Sequence, residues 1–103
     1  MFCSKIYHLT SSFPESEKFG LTNQLRRASV SIPSNIAEGS SRASNKDFSR
    51  FLEITLGSCY EIETQLFIAS DLKFISRTDL ENLSEELQEI IKMISRFKST
   101  LKS

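Results

Sequence analysis

Apolar residues recur at intervals of three and four along almost the whole chain, the spacing of an amphipathic helix. Nowhere do they alternate with polar residues as a half-buried strand requires. Four helices are predicted. The first takes in Phe2, Ile6 and Leu9 and stops before Phe13-Pro14, because Pro14 disfavours a helical conformation for its predecessor. The second runs from about Leu21 to Glu38 and ends at Gly39, a residue suited to the left-handed cap position. The third starts after Ser44, whose spacing to Asp47 resembles a capping box, and continues to about Leu72. The fourth starts after Thr78, which forms the same box with Glu81, and runs to the C-terminus.

The faces of these helices differ. Leu80, Leu83, Leu87, Ile90, Ile94, Phe97 and Leu101 alternate by three and four, joined by Ile91, so the fourth helix has one buried stripe and one wet face. The third has two apolar faces. Beside the stripe Phe48, Leu52, Thr55, Cys59, Ile62, Leu66 and Ala69 it carries Leu56, Tyr60 and Phe67, displaced by about 100°. On the second helix Leu21, Leu25, Ala28, Ile32 and Ile36 form the core stripe, and Val30, Pro33 and Ala37 form an adjacent face of small apolar groups. Pro33 removes the bond to the Ser29 carbonyl, which predicts a kink and a role for the Ser29 or Ser31 hydroxyl in satisfying what is freed. One small bundle does not hide this many faces, so an oligomer is expected.

The chain has 103 residues, enough for one domain spanning 1–103 and one modest core. No apolar run approaches the roughly 20 residues that cross a bilayer, and a cytoplasmic location is expected, with no membrane partner. Cys3 and Cys59 lie far apart in apolar contexts and read as reduced, structural thiols. His8 is the only histidine, so no metal is expected, nor any cofactor. Formal net charge is zero, which argues against diffuse attraction to phosphate. The charge is uneven: the first fifty residues stand at +3 and the rest at −3.

Residues 13–66 carry three blocks in order: "FP-x-x-E-x-x-GL", "QLRRA-x-x-SIPSNIAEG" and "GS-x-x-E-x-ET-x-L". They resemble the signature of the four-helix-bundle family named for a protein encoded within intervening sequences of bacterial 23S ribosomal RNA genes. The resemblance implies an up-and-down four-helix bundle that assembles as a ring-like homopentamer. It also implies kinship with the accessory protein of diversity-generating retroelements, a basic pentamer that binds nucleic acid and a reverse transcriptase. The family pattern has a longer first helix. Here about a dozen residues precede the turn, so a shortened first helix is expected.

The candidate nucleic-acid-binding residues are Arg42, Lys46 and Arg50, with Arg26 and Arg27 as lesser contributors. Arg42 and Lys46 lie near the start of the third helix, where free N–H groups and the helix dipole favour an anion. The plainer alternative is that Arg42 caps the second helix and Lys46, Arg50 and Glu53 form a solvated face. Glu38, Glu61 and Glu63 are the remaining acidic residues of the signature. Glu61 and Glu63 project in different directions, and Glu63 is expected to bond across the bundle to Asn35 or Arg26, with Asn35 itself needing a partner at the edge of the core. There is no nucleophile beside a base, no glycine-rich phosphate loop and no metal set, so no enzymatic activity is expected. Two functions remain open: an oligomeric scaffold that binds RNA or DNA weakly through repeated basic patches, or an assembly module directed at a protein partner.

Overall fold

A computed structural model describes residues 1–101. It consists of helices α1 (Phe2–Thr10), α2 (Leu21–Ser40), α3 (Asn45–Asp71) and α4 (Arg77–Thr100), with one 3-10 turn at Glu15–Glu17 and no strand among the described residues. The fourth helix was expected to reach the C-terminus; residues 102–103 lie outside those described.

Side-chain contacts fix the direction of each helix. Cys3 Sγ lies 3.6 Å from Ser29 Oγ, and Arg26 Nε donates to Thr10 Oγ1 at 2.8 Å, so α1 and α2 are antiparallel. Ser31 pairs with Ser58 at 2.6 Å and Gln65 with Gln24 at 3.4 Å, which sets α2 against α3. Gln88 donates to Glu63, and Lys98 lies 3.3 Å from Glu53, which sets α3 against α4. The helices thus pack sequentially, each reversing its predecessor. Their apolar stripes meet in one core, with Ile6, Leu25, Leu52, Cys59, Ile62, Leu66 and Leu87 wholly or almost wholly buried. Each large aliphatic side chain so buried contributes about 1.5–3 kcal/mol. Phe13 and Phe74, with centroids 5.4 Å apart, close the end of the bundle where the α1–α2 and α3–α4 turns lie.

The helix ends show where local chemistry decides. Ser44 accepts from the Asp47 N–H at 3.1 Å, the expected cap of α3. At α4 two overlapping Ser/Thr-x-x-Asp/Glu patterns compete, and the upstream one is used: Ser76, not Thr78, accepts from Asp79 N–H at 3.0 Å. Starting at Ser76 adds a backbone bond, Leu80 N–H to Ser76 O, while keeping a side-chain cap. The C-terminus of α3 closes as a Schellman motif: Phe74 N–H reaches Ala69 O at 2.9 Å and Lys73 N–H reaches Ser70 O at 3.0 Å. Lys73 occupies the left-handed position there with φ 64°.

Gly39 is not the left-handed cap expected of it. It lies inside α2, with no positive φ, because what it supplies is space. A Cβ there would stand 2.7 Å from Phe51 Cβ and 2.9 Å from Phe48 Cδ1. Pro33 also lies within a continuous α2, and the nearby hydroxyls do not serve the Ser29 carbonyl: Ser29 donates to Arg26 O and Ser31 to Ala28 O. A serine hydroxyl folds back most readily onto a carbonyl of its own preceding turn.

The first helix is short, as expected, with 9 residues against 24 in α4. Its Lys5 meets Glu86 at 2.6 Å. Beyond Glu86 the same side of α4 continues as Ile90, Met93 and Phe97, and Met93 is 63% exposed.

Two glycine substitutions separate space from propensity. Gly39→Ala should destabilise the fold by about 1–3 kcal/mol through overpacking against Phe48 and Phe51. Gly57→Ala, mid-helix with nothing within 4 Å of the added Cβ, should stabilise it by about 0.5–1 kcal/mol. Urea unfolding followed by circular dichroism measures both, and equal effects would contradict the packing described.

Candidate functional site

The described surface has grooves rather than a cleft. One lies between α1 and the start of α4, lined by Lys5, His8, Asn82 and Glu86 and crossed by the Lys5–Glu86 ion pair. A second lies on the α2–α3 seam with Arg27, Ser31, Ser58, Glu61 and Gln65 around it. No group of three or more His, Cys, Asp and Glu among the described residues could hold a metal ion. No described helix is long and apolar enough to cross a membrane.

The five basic candidates do not form one patch. Arg42 bonds Glu38 Oε1 at 3.0 Å, and its guanidinium lies 5.0 Å from the Phe51 ring centroid, so it is engaged within the chain. Arg26 is a staple between helices: besides Thr10 it reaches Tyr7 O at 3.3 Å and stacks over the Tyr7 ring at 4.7 Å. Thr10, 2% exposed, accepts this bond while donating to Ile6 O at 2.8 Å. Arg27 stands on the α2–α3 seam, away from the others. Lys46 and Arg50 remain together, one turn apart on α3 beside Asn45, Ser49 and Glu53, with no ion pair among the described residues.

The polar residues of the signature are likewise dispersed. Glu63 is half-buried and accepts from Gln88 of α4, not from Asn35 or Arg26, because its side of α3 faces α4. Asn35 finds its partner in its own helix, donating to Ser31 O at 2.8 Å. Glu38 is taken by Arg42, and Glu61 lies exposed on the α2–α3 seam. Two carboxylates working on one atom need to converge, and these do not.

What the surface does present is apolar. Tyr60 and Phe67, the expected second face of α3, are 53% and 54% exposed, and Leu56 is half-buried. Ile54, Ile68 and Leu72 are exposed with them and widen the face beyond its expected extent. Their signal was present in the sequence, since all three recur at helical spacing with Gly57 and Glu61. It was masked because the same stretch also carries the stronger core stripe.

These features define a small all-α protein of sequentially packed helices with an exposed apolar face on α3. The family described as 23S rRNA-intervening sequence protein matches residues 1–96, and the chain belongs to it. A 1.70 Å crystal structure of a protein with unknown function, from the S23 ribosomal protein family of Bacteroides thetaiotaomicron, is similar. It is 27% identical, with a TM-score of 0.83 over 94% of this chain and 91% of that one. No curated protein matches the sequence.

The two cysteines differ in reactivity. Both are free; Cys59 is fully buried, and burial pushes its thiol from an ordinary 9.0 up to about 11. In the native protein at pH 8, thiol reagents should modify half-buried Cys3 and spare Cys59 until the chain unfolds. The raised value also has a stability consequence. An unfolded chain gives up the Cys59 proton near pH 9 while the folded chain keeps it to about pH 11, so stability should fall with rising pH across that window. Cys59→Ala should reduce this decline, as read from melting temperature against pH.

Proposed function

We propose that the chain is a non-enzymatic assembly module that self-associates through the outer face of α3. The observation that carries this reading is the exposure of Ile54, Tyr60, Phe67, Ile68 and Leu72 on one helix whose opposite stripe is fully committed to the core. Exposed apolar side chains gathered on one helix of a small domain mark an interaction site. The family resemblance implies copies of the same chain as partner, in a ring of five. The non-enzymatic reading is supported by the dispersal of Glu38, Glu61 and Glu63 to separate surroundings. Light scattering at micromolar concentration should give a mass that is a multiple of the 11.7 kDa chain, and a monomer at every concentration would overturn the reading.

A second reading, weak binding of RNA or DNA by the assembled protein, rests on Lys46 and Arg50. They are adjacent, exposed and without an ion pair among the described residues, and assembly would multiply them. Affinity should then fall as salt rises, and replacing Lys46 and Arg50 together by Gln should flatten that slope. Arg42→Gln should change it less, since Glu38 and Phe51 already engage the guanidinium. An assembled sample that binds neither RNA nor DNA at low salt leaves the protein-directed module alone.

A further inference from the structure

Polar residues face one another across the α2–α3 seam, and the middle of the seam is open. Gln24, Arg27 and Ser31 follow one side of α2, and Ser58, Glu61 and Gln65 follow one side of α3, each row at spacings of three and four. Ser31 meets Ser58 at 2.6 Å at one end, and Gln65 donates to Gln24 at 3.4 Å at the other. Between these pairs stand Arg27 and Glu61. They line the same groove with opposite charges and form no ion pair among the described residues. The groove encloses about 480 Å³, within the roughly 300–1,000 Å³ of small-molecule sites.

One lining residue is buried and incompletely satisfied. Gln65 is 6% exposed, its Nε2 is engaged by Gln24, and its Oε1 is buried without a hydrogen bond. A buried amide oxygen in that state calls for a donor. Ser31 donates to Ala28 O at 2.6 Å, and a hydroxyl has one proton, so Ser58 donates in the serine pair and keeps its own lone pairs free. The α3 wall therefore offers three acceptors: Ser58 Oγ, the Glu61 carboxylate and Gln65 Oε1. The α2 wall offers donors, the Arg27 guanidinium and Gln24 Nε2, since the Gln24 Oε1 atom is the one that Gln65 engages.

We infer that this groove binds a free α-amino acid, its ammonium on the acceptors of α3 and its carboxylate on Arg27 and Gln24. The match is in number and in sign. An ammonium carries three N–H donors for the three acceptors, and a carboxylate meets a guanidinium through both of its oxygens. A phosphate or a lone carboxylate would be set against Glu61, and a simple amine against Arg27. A zwitterion satisfies both charges. The site is built within one chain, so it stands or falls apart from the self-association reading.

The glutamine side-chain amides report directly on occupancy. Each standard amino acid is added singly at millimolar concentration to isotope-labelled protein followed by NMR, beside acetate and methylammonium as the two halves of the ligand. At least one amino acid should shift the Gln65 and Gln24 amide signals in a saturable way, and neither half should. Arg27→Gln and Glu61→Gln should each weaken that binding at least tenfold. Glu38→Gln should bind as the parent does, since that carboxylate is engaged by Arg42 elsewhere. Gln65→Met removes the unmet acceptor, so it should melt no lower than the parent while losing the response. Arg27 and Glu61 are exposed, so their variants keep the test decisive if Gln65→Met fails to fold. Silence from every amino acid would overturn the site, as would acetate or methylammonium shifting the same signals as strongly. Arg27→Gln and Glu61→Gln binding like the parent would overturn it too.

Discussion

The close approach of α2 and α3 at Gly39 is the constraint on which this fold depends. Phe48 and Phe51 lie where any side chain at residue 39 would be, so the end of α2 and the start of α3 come together at the spacing only a glycine allows. From that closed end the two helices run antiparallel through the Ser31–Ser58 pair to Gln24 and Gln65, burying Leu25, Leu52, Cys59, Ile62 and Leu66 between them and their neighbours. The other two helices are secondary to this pair. α4 lays one stripe on it, and α1 is fastened by Arg26 through Thr10 and Tyr7.

The helices and their core faces were legible from spacing alone, since apolar periodicity is a property of many residues at once and survives a local error. What was not legible were choices between locally equivalent options. Ser76 and Thr78 both fit a capping pattern, and the difference between them is one added backbone bond. Gly39 fits both a cap and a close contact, and the two are told apart only by knowing that Phe48 and Phe51 come back to meet it. Glu63 was expected to seek Asn35 or Arg26. It meets Gln88 because its angle on α3 points to α4, and Asn35 satisfies itself within its own turn.

The basic residues show the same limit more sharply. The sequence ranks Arg42, Lys46 and Arg50 ahead of Arg26 and Arg27, yet the five divide by what lies within reach of each stem. Arg26 and Arg42 each find an aromatic ring and an oxygen acceptor, and a planar guanidinium engages both at once. Lys46 and Arg50 find neither among the described residues. Their availability is thus a consequence of the fold, which removes Arg42 from the set that position along the chain suggests.

That availability ties the possible functions together. The strip of α3 that carries Lys46 and Arg50 also carries Gly57 and Ile68, so a nucleic acid and a protein partner on this face would compete for the same ground. Apolar side chains gain nothing from a phosphate backbone, whereas a facing protein surface buries them. A mid-helix glycine with no intramolecular role costs the folded chain stability, and a phosphate contact through long basic side chains gives no reason to keep a gap there. A partner helix on this face would account for the glycine and the exposed Ile54 and Tyr60 together. Nucleic-acid binding accounts for the two basic residues alone.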